Sequence, residues 1–166
     1  MATYARFEKN GEIYYGQVDG DNLKILTDSP LGSFQETGES VNISDVRLMS
    51  PVSPNKVVAI GLNYKSHLGG RPGPKAPEPF LKASTSVIGN NDDIIIPKIA
   101  LDEGVKIQPE AELAVVIGKT CKGASQNNAL DFVFAYTCGN DVSARDWQSN
   151  DLQWARAKSS DTFAPI

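Results

Sequence analysis

Short runs of alternating hydrophobic and polar residues fill the first fifty positions of the chain, and this period of two predicts β-strands. The runs place strands at residues 2–8, 12–18 and 23–26. Asn10-Gly11 favours a hairpin turn of type I′ between the first two strands, because both central residues of that turn need a positive φ. Residues 28–42, rich in Ser, Gly and Glu, predict an irregular connection. We therefore expect a small N-terminal β subdomain at residues 1–50.

A proline-punctuated stretch at residues 50–54 predicts a boundary, after which residues 55–166 form a second and larger unit. Apolar runs in this unit predict further strands at 56–61, 80–82, 93–96, 109–119 and 133–138. Helical spacing predicts one turn at 63–68, a helix at 124–132 and partial helix at 144–157. Glycines and prolines at 69–79 predict a loop. Many short strands with few helices indicate a β-rich α+β fold.

Charge and composition narrow the range of partners. The net charge is −4 and no basic patch occurs, which argues against a nucleic-acid partner. The longest apolar runs are far shorter than the roughly 20 residues of a membrane-spanning helix, so no membrane partner is expected. Cys121 and Cys138 do not form a CxxC pair, and we interpret them as buried or half-buried thiols in a reducing compartment. The expected location is the cytoplasm.

Two glutamates at the start of an apolar strand form a candidate metal site. Glu110 and Glu112 share one face of the predicted strand, since side chains alternate along a strand. Both faces continue with apolar residues, so the strand is expected to enter a core with two like charges at its entrance. Buried unpaired carboxylates are costly, and a bound cation resolves that conflict. Oxygen ligands favour Mg²⁺, with Mn²⁺ or Ca²⁺ also possible. The alternative is an ordinary solvated strand face.

Asp141 and His67 are the other candidates. Asp141 follows the apolar strand 133–138 and is either a third carboxylate ligand or part of an Asn-Asp turn. His67 is the only histidine and lies beside the glycine- and proline-rich loop. A lone histidine is often a surface or structural residue, but its titration range also suits general acid or base catalysis near neutral pH.

Five stretches of the chain together resemble the motifs of a known family. They are Lys56–His67, Pro79–Ser84, Glu110–Lys119, Gly139–Gln148 and Ala157–Phe163. In this order they resemble the fumarylacetoacetate hydrolase family, in its smaller branch that includes 2-hydroxyhepta-2,4-diene-1,7-dioate isomerase and 5-oxopent-3-ene-1,2,5-tricarboxylate decarboxylase. The resemblance covers roughly residues 55–166 and implies a mixed β-sandwich roll that assembles as a homodimer.

The resemblance also implies roles for individual residues. Glu110, Glu112 and Asp141 would hold Mg²⁺, and His67 would act catalytically from a mobile lid. The substrate would be held by Lys82, Gln148 and Tyr64, with Lys158 acting in catalysis. An ion pair bracing the loop is expected of Arg145 and Asp146. The implied reaction proceeds on an oxo or enol (di)carboxylic acid through a metal-stabilised enolate, as isomerisation, decarboxylation or C–C hydrolysis.

The sequence departs from the family pattern in two places. Hydrolytic members carry a glutamate three residues after the histidine, whereas this chain has Gly70. A neutral imidazole without an orienting carboxylate is a weaker base toward water, which favours isomerisation or decarboxylation over hydrolysis. The sequence also ends at Ile166, so we expect a catalytic domain that is incomplete at its C-terminus. The alternative function is a non-catalytic scaffold or ligand-binding module with the same fold.

Overall fold

The computed structural model describes residues 1–166. Its N-terminal part is an antiparallel sheet of five strands. Its strands are β1 (Tyr4–Lys9), β2 (Glu12–Asp19), β3 (Asn22–Leu26), β4 (Glu36–Asn42) and β5 (Arg47–Leu48). They lie in the order β4-β3-β2-β1-β5. Asn10 and Gly11 have φ values of 55° and 84°, as the predicted hairpin turn requires.

Strand β4 corrects the expectation of an irregular connection at residues 28–42. Six of its seven side chains are polar or absent, and Val41 alone is buried. It pairs with β3 at the outer edge of the sheet, so most of its side chains remain in water. An edge strand of this kind has no hydrophobic alternation to reveal it.

The remaining chain contains eight further strands and three α-helices. The strands are β6 (Val57–Gly61), β7 (Glu78–Lys82), β8 (Val87–Ile88), β9 (Ile107–Gln108), β10 (Ala111–Ile117), β11 (Val133–Asn140), β12 (Ser143–Ala144) and β13 (Ala164–Pro165). The helices are α1 (Lys98–Asp102), α2 (Arg145–Asn150) and α3 (Ala155–Ser159). Antiparallel pairs form between β6 and β7, β9 and β12, and β10 and β11, while β13 pairs with β8 in parallel. Thirteen strands and three short α-helices confirm the β-rich α+β class.

Two predicted elements are wrong. Residues 93–96 form no strand, because the Ile95 N–H donates to the Thr162 hydroxyl at 2.8 Å rather than to a neighbouring strand. Residues 124–132 form only a short 3₁₀ turn at Ala129–Phe132. The Asn128 side chain accepts from the backbone N–H of Ser125 at 2.8 Å, and such local side-chain bonds compete with helix formation. The single turn near residue 65 and the partial helix at 144–157 are confirmed.

Two separate clusters of buried apolar side chains hold the chain together. The N-terminal cluster contains Phe7, Leu23, Ile25 and Val41. The second contains Ala100, Val142, Ala144, Trp147, Ala157 and Phe163. Val142 and Ala157 adjoin Asp141 and Lys158 in sequence, so burial of the second cluster fixes the backbone that carries those two charged residues.

The faces of β10 differ from the expectation that both enter a core. Glu110, Glu112 and the residues that continue their face are buried or half-buried, but the opposite face is exposed. Leu113 is 62% exposed, since no element of the chain packs over it. Cys138 pairs with Leu113 in the ladder and is exposed too, as is Cys121, so the prediction of half-buried thiols is wrong. In this fold no helix has both the length and the apolar character to traverse a lipid bilayer.

Gly89, after β8, lies against the chain that leaves the N-terminal sheet. A Cβ at Gly89 would lie 2.5 Å from the Ser50 backbone nitrogen and 2.6 Å from the Met49 carbonyl carbon. We expect Gly89→Ala to lower the free energy of unfolding by about 2 kcal/mol, because backbone must move to admit the methyl group. Chemical denaturation measures this, with Gly32→Ala as control, where the nearest atom lies 3.8 Å from the new Cβ. Equal effects of the two substitutions would contradict the steric explanation.

Candidate active site

Strands β10 and β11 bring three carboxylates to one cavity of about 290 Å³. Glu112 lies opposite Gly139 in the antiparallel ladder. Just beyond the ladder, the Asp141 N–H donates to the Glu110 carbonyl at 2.9 Å, which places the two side chains together. Glu110 is 7% and Asp141 5% exposed, while Glu112 is half-buried. Three carboxylates thus line one partly enclosed space. Strand alternation predicts that Glu110 and Glu112 lie on the same face.

Two buried lysines pair with Asp141 and Glu110, two of these three carboxylates. Lys158, on α3, donates to Asp141 Oδ2 at 2.6 Å and to Glu110 Oε1 at 2.9 Å. Lys82, the last residue of β7, donates to Asp141 Oδ1 at 2.6 Å and to the carbonyl of Lys158. Lys158 is 2% and Lys82 4% exposed. Both oxygens of Asp141 are therefore held by ammonium groups, one from each lysine.

Helix α2 supplies a third cation. Arg145 Nη1 lies 2.6 Å from Glu110 Oε1 and donates to the Gln148 side chain at 2.8 Å. The Ser143 hydroxyl also donates to Glu110, at 2.9 Å. The expected ion pair of Arg145 with Asp146 is wrong, because neighbouring residues of a helix point apart, and Asp146 instead accepts the Lys106 N–H at 2.7 Å.

The charges shift the ionisation of the cavity's glutamates in opposite directions. Burial raises the pKa of the Glu110 carboxyl, but the hydrogen bond and charge of Lys158, with smaller effects of Ser143 and Arg145, outweigh it, so the net pKa is lowered. Burial raises the pKa of Glu112, and the negative charges of Asp141 and Glu110 raise it further. Burial lowers the pKa of Lys82, against the opposing effect of Asp141. Glu112 is thus the carboxylate that lacks compensating charge.

His67 completes a group of possible metal ligands. Ligand atoms of His67, Glu110 and Glu112 lie within 4.8 Å of one another, and His67 Nδ1 lies 3.7 Å from Glu110 Oε2. A set of carboxylate oxygens and an imidazole nitrogen fits a divalent cation such as Mg²⁺ or Mn²⁺. Asp141 lines the same cavity but is not in this group, so its role as a third ligand remains a prediction.

The histidine lies in a 3₁₀ turn, Lys65–Leu68, which ends at Gly69 in the left-handed conformation. Tyr64 precedes the turn, and its hydroxyl accepts the Leu113 N–H at 2.8 Å, which attaches the turn to β10. The ring of Tyr64 lies 5.8 Å from that of His67. Gly70 has φ +82° and no side chain to orient the imidazole, so Glu110 is the carboxylate nearest to it.

Most of the residues predicted from sequence line the cavity. His67, Glu110, Glu112, Asp141, Gln148 and Lys158 do so. Lys82 lies behind Asp141, and Tyr64 lies beside the turn, so neither is on the cavity wall. Sequence reasoning missed Arg71, Phe80 and Trp154 as wall residues. Ser143, two residues after Asp141, was also missed, although its place beside a candidate ligand was a usable signal.

Two family models match the chain, and together they cover most of its length. The model of the fumarylacetoacetate (FAA) hydrolase C-terminal domain matches residues 56–166, and a model described as Rv2993c-like, N-terminal, matches residues 3–51. The chain therefore belongs to the fumarylacetoacetate hydrolase family. It spans about 60% of the length of the first curated relatives that it matches.

Relatives with named activities fall in more than one reaction class. The chain is 42% identical over 152 residues to the oxaloacetate tautomerase fahd2, mitochondrial, of Xenopus laevis, covering 89% of this chain and 46% of that one. The structure of 2-hydroxyhepta-2,4-diene-1,7-dioate isomerase from Mycobacterium marinum superposes with a TM-score of 0.86 at 35% identity, covering 99% and 64%. Maleylpyruvate hydrolase from Sphingobium sp. SYK-6, in complex with manganese(II) and pyruvate, gives 0.72 at 26% identity, covering 100% and 65%.

Proposed function

We propose that the protein is a divalent-metal-dependent enzyme that isomerises or decarboxylates an oxo or enol (di)carboxylic acid. The observation that carries the proposal is the meeting of Glu110, Glu112 and Asp141 with His67 in one cavity. We propose Mg²⁺ as the physiological ion, held by the three carboxylates. Manganese is a suitable probe, because a related maleylpyruvate hydrolase is described with manganese(II) and pyruvate.

The charge balance of the site favours an anionic substrate. Three carboxylates lie against four cations, of which Lys158, Arg145 and Arg71 line the cavity and Lys82 lies behind Asp141, so the local net charge is +1 when all are ionised. A bound divalent ion would raise this sum to +3. The whole chain carries −4, so the positive charge is local to the cavity. A concave positive site attracts anions and raises their local concentration.

Four residues of the cavity have separate roles in the proposed reaction. A bound divalent ion would supply Lewis-acid charge to the oxo and carboxylate oxygens of the substrate. Lys158 holds the carboxylates of Asp141 and Glu110 in place through its two ion pairs, and its charge offsets the negative charge of an enolate. Apolar walls from Phe80 and Trp154, whose rings meet edge to face at 5.3 Å, exclude water from the carbon skeleton. His67 at the cavity wall is the group suited to move a proton.

The position of His67 favours isomerisation or decarboxylation over hydrolysis. Hydrolysis needs a base that activates water, and Gly70 offers no carboxylate to orient the imidazole. Glu110 is the nearest carboxylate at 3.7 Å, but in the proposal it is engaged with the metal. Proton transfer at carbon, or loss of CO₂ followed by protonation, needs only one proton carrier. An oxaloacetate tautomerase among the relatives agrees with such chemistry.

We expect His67→Asn to lower turnover of oxaloacetate by about 100-fold, because general acid–base catalysis contributes about that much or more. Mn²⁺ affinity, measured by titration calorimetry, is expected to stay within about three-fold of the unmodified protein. Lys65→Gln is the matched control, since Lys65 lies in the same turn but not on the cavity wall.

Three results would count against this proposal. Absence of metal-dependent turnover of oxaloacetate, acylpyruvates and hydroxymuconate-type acids would favour the alternative of a non-catalytic scaffold or ligand-binding module. Loss of Mn²⁺ affinity in His67→Asn would make His67 a ligand rather than a proton carrier. Rapid hydrolysis of an acylpyruvate would move the assignment from isomerase or decarboxylase to hydrolase.

We also propose that the protein acts as a homodimer in the cytoplasm, as the family resemblance suggests. The exposed apolar face of β10 and β11, with Leu113 and Tyr136, supports association with a second copy. The exposed free thiols of Cys121 and Cys138 are typical of a reducing compartment. Sedimentation equilibrium tests the first statement, since a species of 17.9 kDa alone would contradict it, and cell fractionation tests the second.

A further inference from the structure

Arg71 is the one cation on the cavity wall that has no carboxylate partner. The two other wall cations are engaged: Lys158 pairs with Asp141 and Glu110, and Arg145 pairs with Glu110. Lys82, behind the wall, pairs with Asp141. Arg71 forms no ion pair, and its only side-chain hydrogen bond runs from Nε to the Leu68 carbonyl at 3.1 Å. Its charge is therefore free to act on a ligand.

The turn that carries His67 also holds Arg71 at the cavity. Gly69 and Gly70 have φ values of 56° and 82°, a conformation that suits glycine and turns the chain back after the 3₁₀ segment. The Arg71 backbone N–H donates to the Leu68 carbonyl at 3.0 Å, and Nε donates to the same oxygen. Two bonds to one carbonyl restrict the guanidinium on its Nε side. Nη1 and Nη2, which have no partner in the chain, remain available.

A planar guanidinium with two available amino groups matches the geometry of a carboxylate. Such pairs bind through two parallel N–H···O bonds, and they are stronger than hydrogen bonds between neutral groups. The carboxylates of the cavity are already paired with Lys82, Lys158 and Arg145 or lie in the candidate metal group. The anion that Arg71 would accept must therefore come from the ligand.

We infer that Arg71 is a specificity-determining residue that binds a second carboxylate of the substrate, remote from the oxo acid group. This inference rests on the proposed function and deepens it, because it selects dicarboxylic over monocarboxylic oxo acids. His67 and Arg71 lie on the same short segment, so a ligand that engages Arg71 also fixes the position of His67 over the cavity.

The test compares 2-oxoglutarate with 2-oxopentanoate, which has a methyl group in place of the second carboxylate, and uses oxalate as a third ligand. Titration calorimetry of the Mn²⁺-loaded protein measures the affinities of 2-oxoglutarate, of 2-oxopentanoate and of oxalate, which has no remote carboxylate. Arg71→Gln is expected to weaken 2-oxoglutarate by 10- to 100-fold, the loss of a charge-assisted hydrogen-bonded pair, and to leave the other two ligands within about two-fold. Arg71→Lys is expected to recover part of the loss. Lys75→Gln, an exposed cation of the same loop away from the cavity wall, is expected to change none of the three.

The outcomes separate this inference from the function on which it rests. If oxalate fails to bind the unmodified Mn²⁺-loaded protein, the proposed function is wrong and the inference falls with it. If oxalate binds but Arg71→Gln leaves the affinity for 2-oxoglutarate unchanged, only the inference is overturned. An equal loss for 2-oxoglutarate and 2-oxopentanoate in Arg71→Gln also overturns it, since the arginine would then act only by holding the turn at Leu68.

Discussion

Replacement of Glu112 by glutamine is expected to lower Mn²⁺ affinity by on the order of 100-fold or more, and oxaloacetate turnover by on the order of 1,000-fold. Glutamine keeps the shape of the side chain but removes one full negative charge from the candidate metal group. Glu112 is the clearest position for this test, because it accepts no hydrogen bond from the protein, whereas Glu110 is bonded to Lys158 and Ser143. Its loss changes the affinity for a cation without breaking an existing ion pair.

Stability measurements separate loss of the metal from loss of the fold. Burial and the charges of Asp141 and Glu110 raise the pKa of Glu112, so its ionised form is disfavoured in the folded chain. Metal-free Glu112→Gln is therefore expected to be at least as stable as the unmodified protein in thermal denaturation. Glu39→Gln, at an exposed position of β4, is the control for charge alone. Unchanged Mn²⁺ affinity in Glu112→Gln would rule out the carboxylate as a ligand.

Local patterns were sufficient to place Glu110 and Glu112 together, whereas they left Asp141 as either a ligand or part of a turn. The alternation along the strand placed Glu110 and Glu112 on one face, and in the structure both side chains line the cavity. The apolar strand before Asp141 was predicted to end at residue 138 and extends to Asn140, and Asp141, which follows it directly, reaches the same cavity. The shared face of Glu110 and Glu112 depends on the two-residue period of a strand, a property that a few adjacent residues determine.

The features that the sequence did not reveal depend on contacts between distant parts of the chain. Lys82 and Asp141 meet across 59 positions, and no local pattern shows that a lysine at the end of a short strand will be buried beside that carboxylate. Leu113 was expected in a core, but alternation determines which residues share a face and not what covers that face. Strand β4 was missed for the related reason that an edge strand keeps polar side chains in water.

Replacement of Lys158 by methionine is expected to lower the free energy of unfolding of the metal-free protein by about 3 kcal/mol or more. The substitution fills similar space but leaves the buried carboxylates of Glu110 and Asp141 without the ammonium that bridges them at 2.9 and 2.6 Å. Lys98→Met is a matched control. Lys98 lies 2.7 Å from Asp102, a similar distance, but 85% of its side chain is exposed, so its loss is expected to cost at most about 0.5 kcal/mol.

The effect of Lys158→Met is also expected to depend on pH in a defined direction. Lys158 is the main source of the lowered pKa of Glu110, which opposes the effect of burial. A carboxyl whose pKa is lowered on folding stabilises the protein above its ordinary pKa of about 4.3, and this contribution disappears as the pH falls through the lowered value. The stability difference between the unmodified protein and Lys158→Met should therefore be largest near pH 7 and shrink below about pH 4. Urea denaturation at both pH values measures it, and a difference that stayed constant would mean that Lys158 stabilises the fold by packing, not by charge.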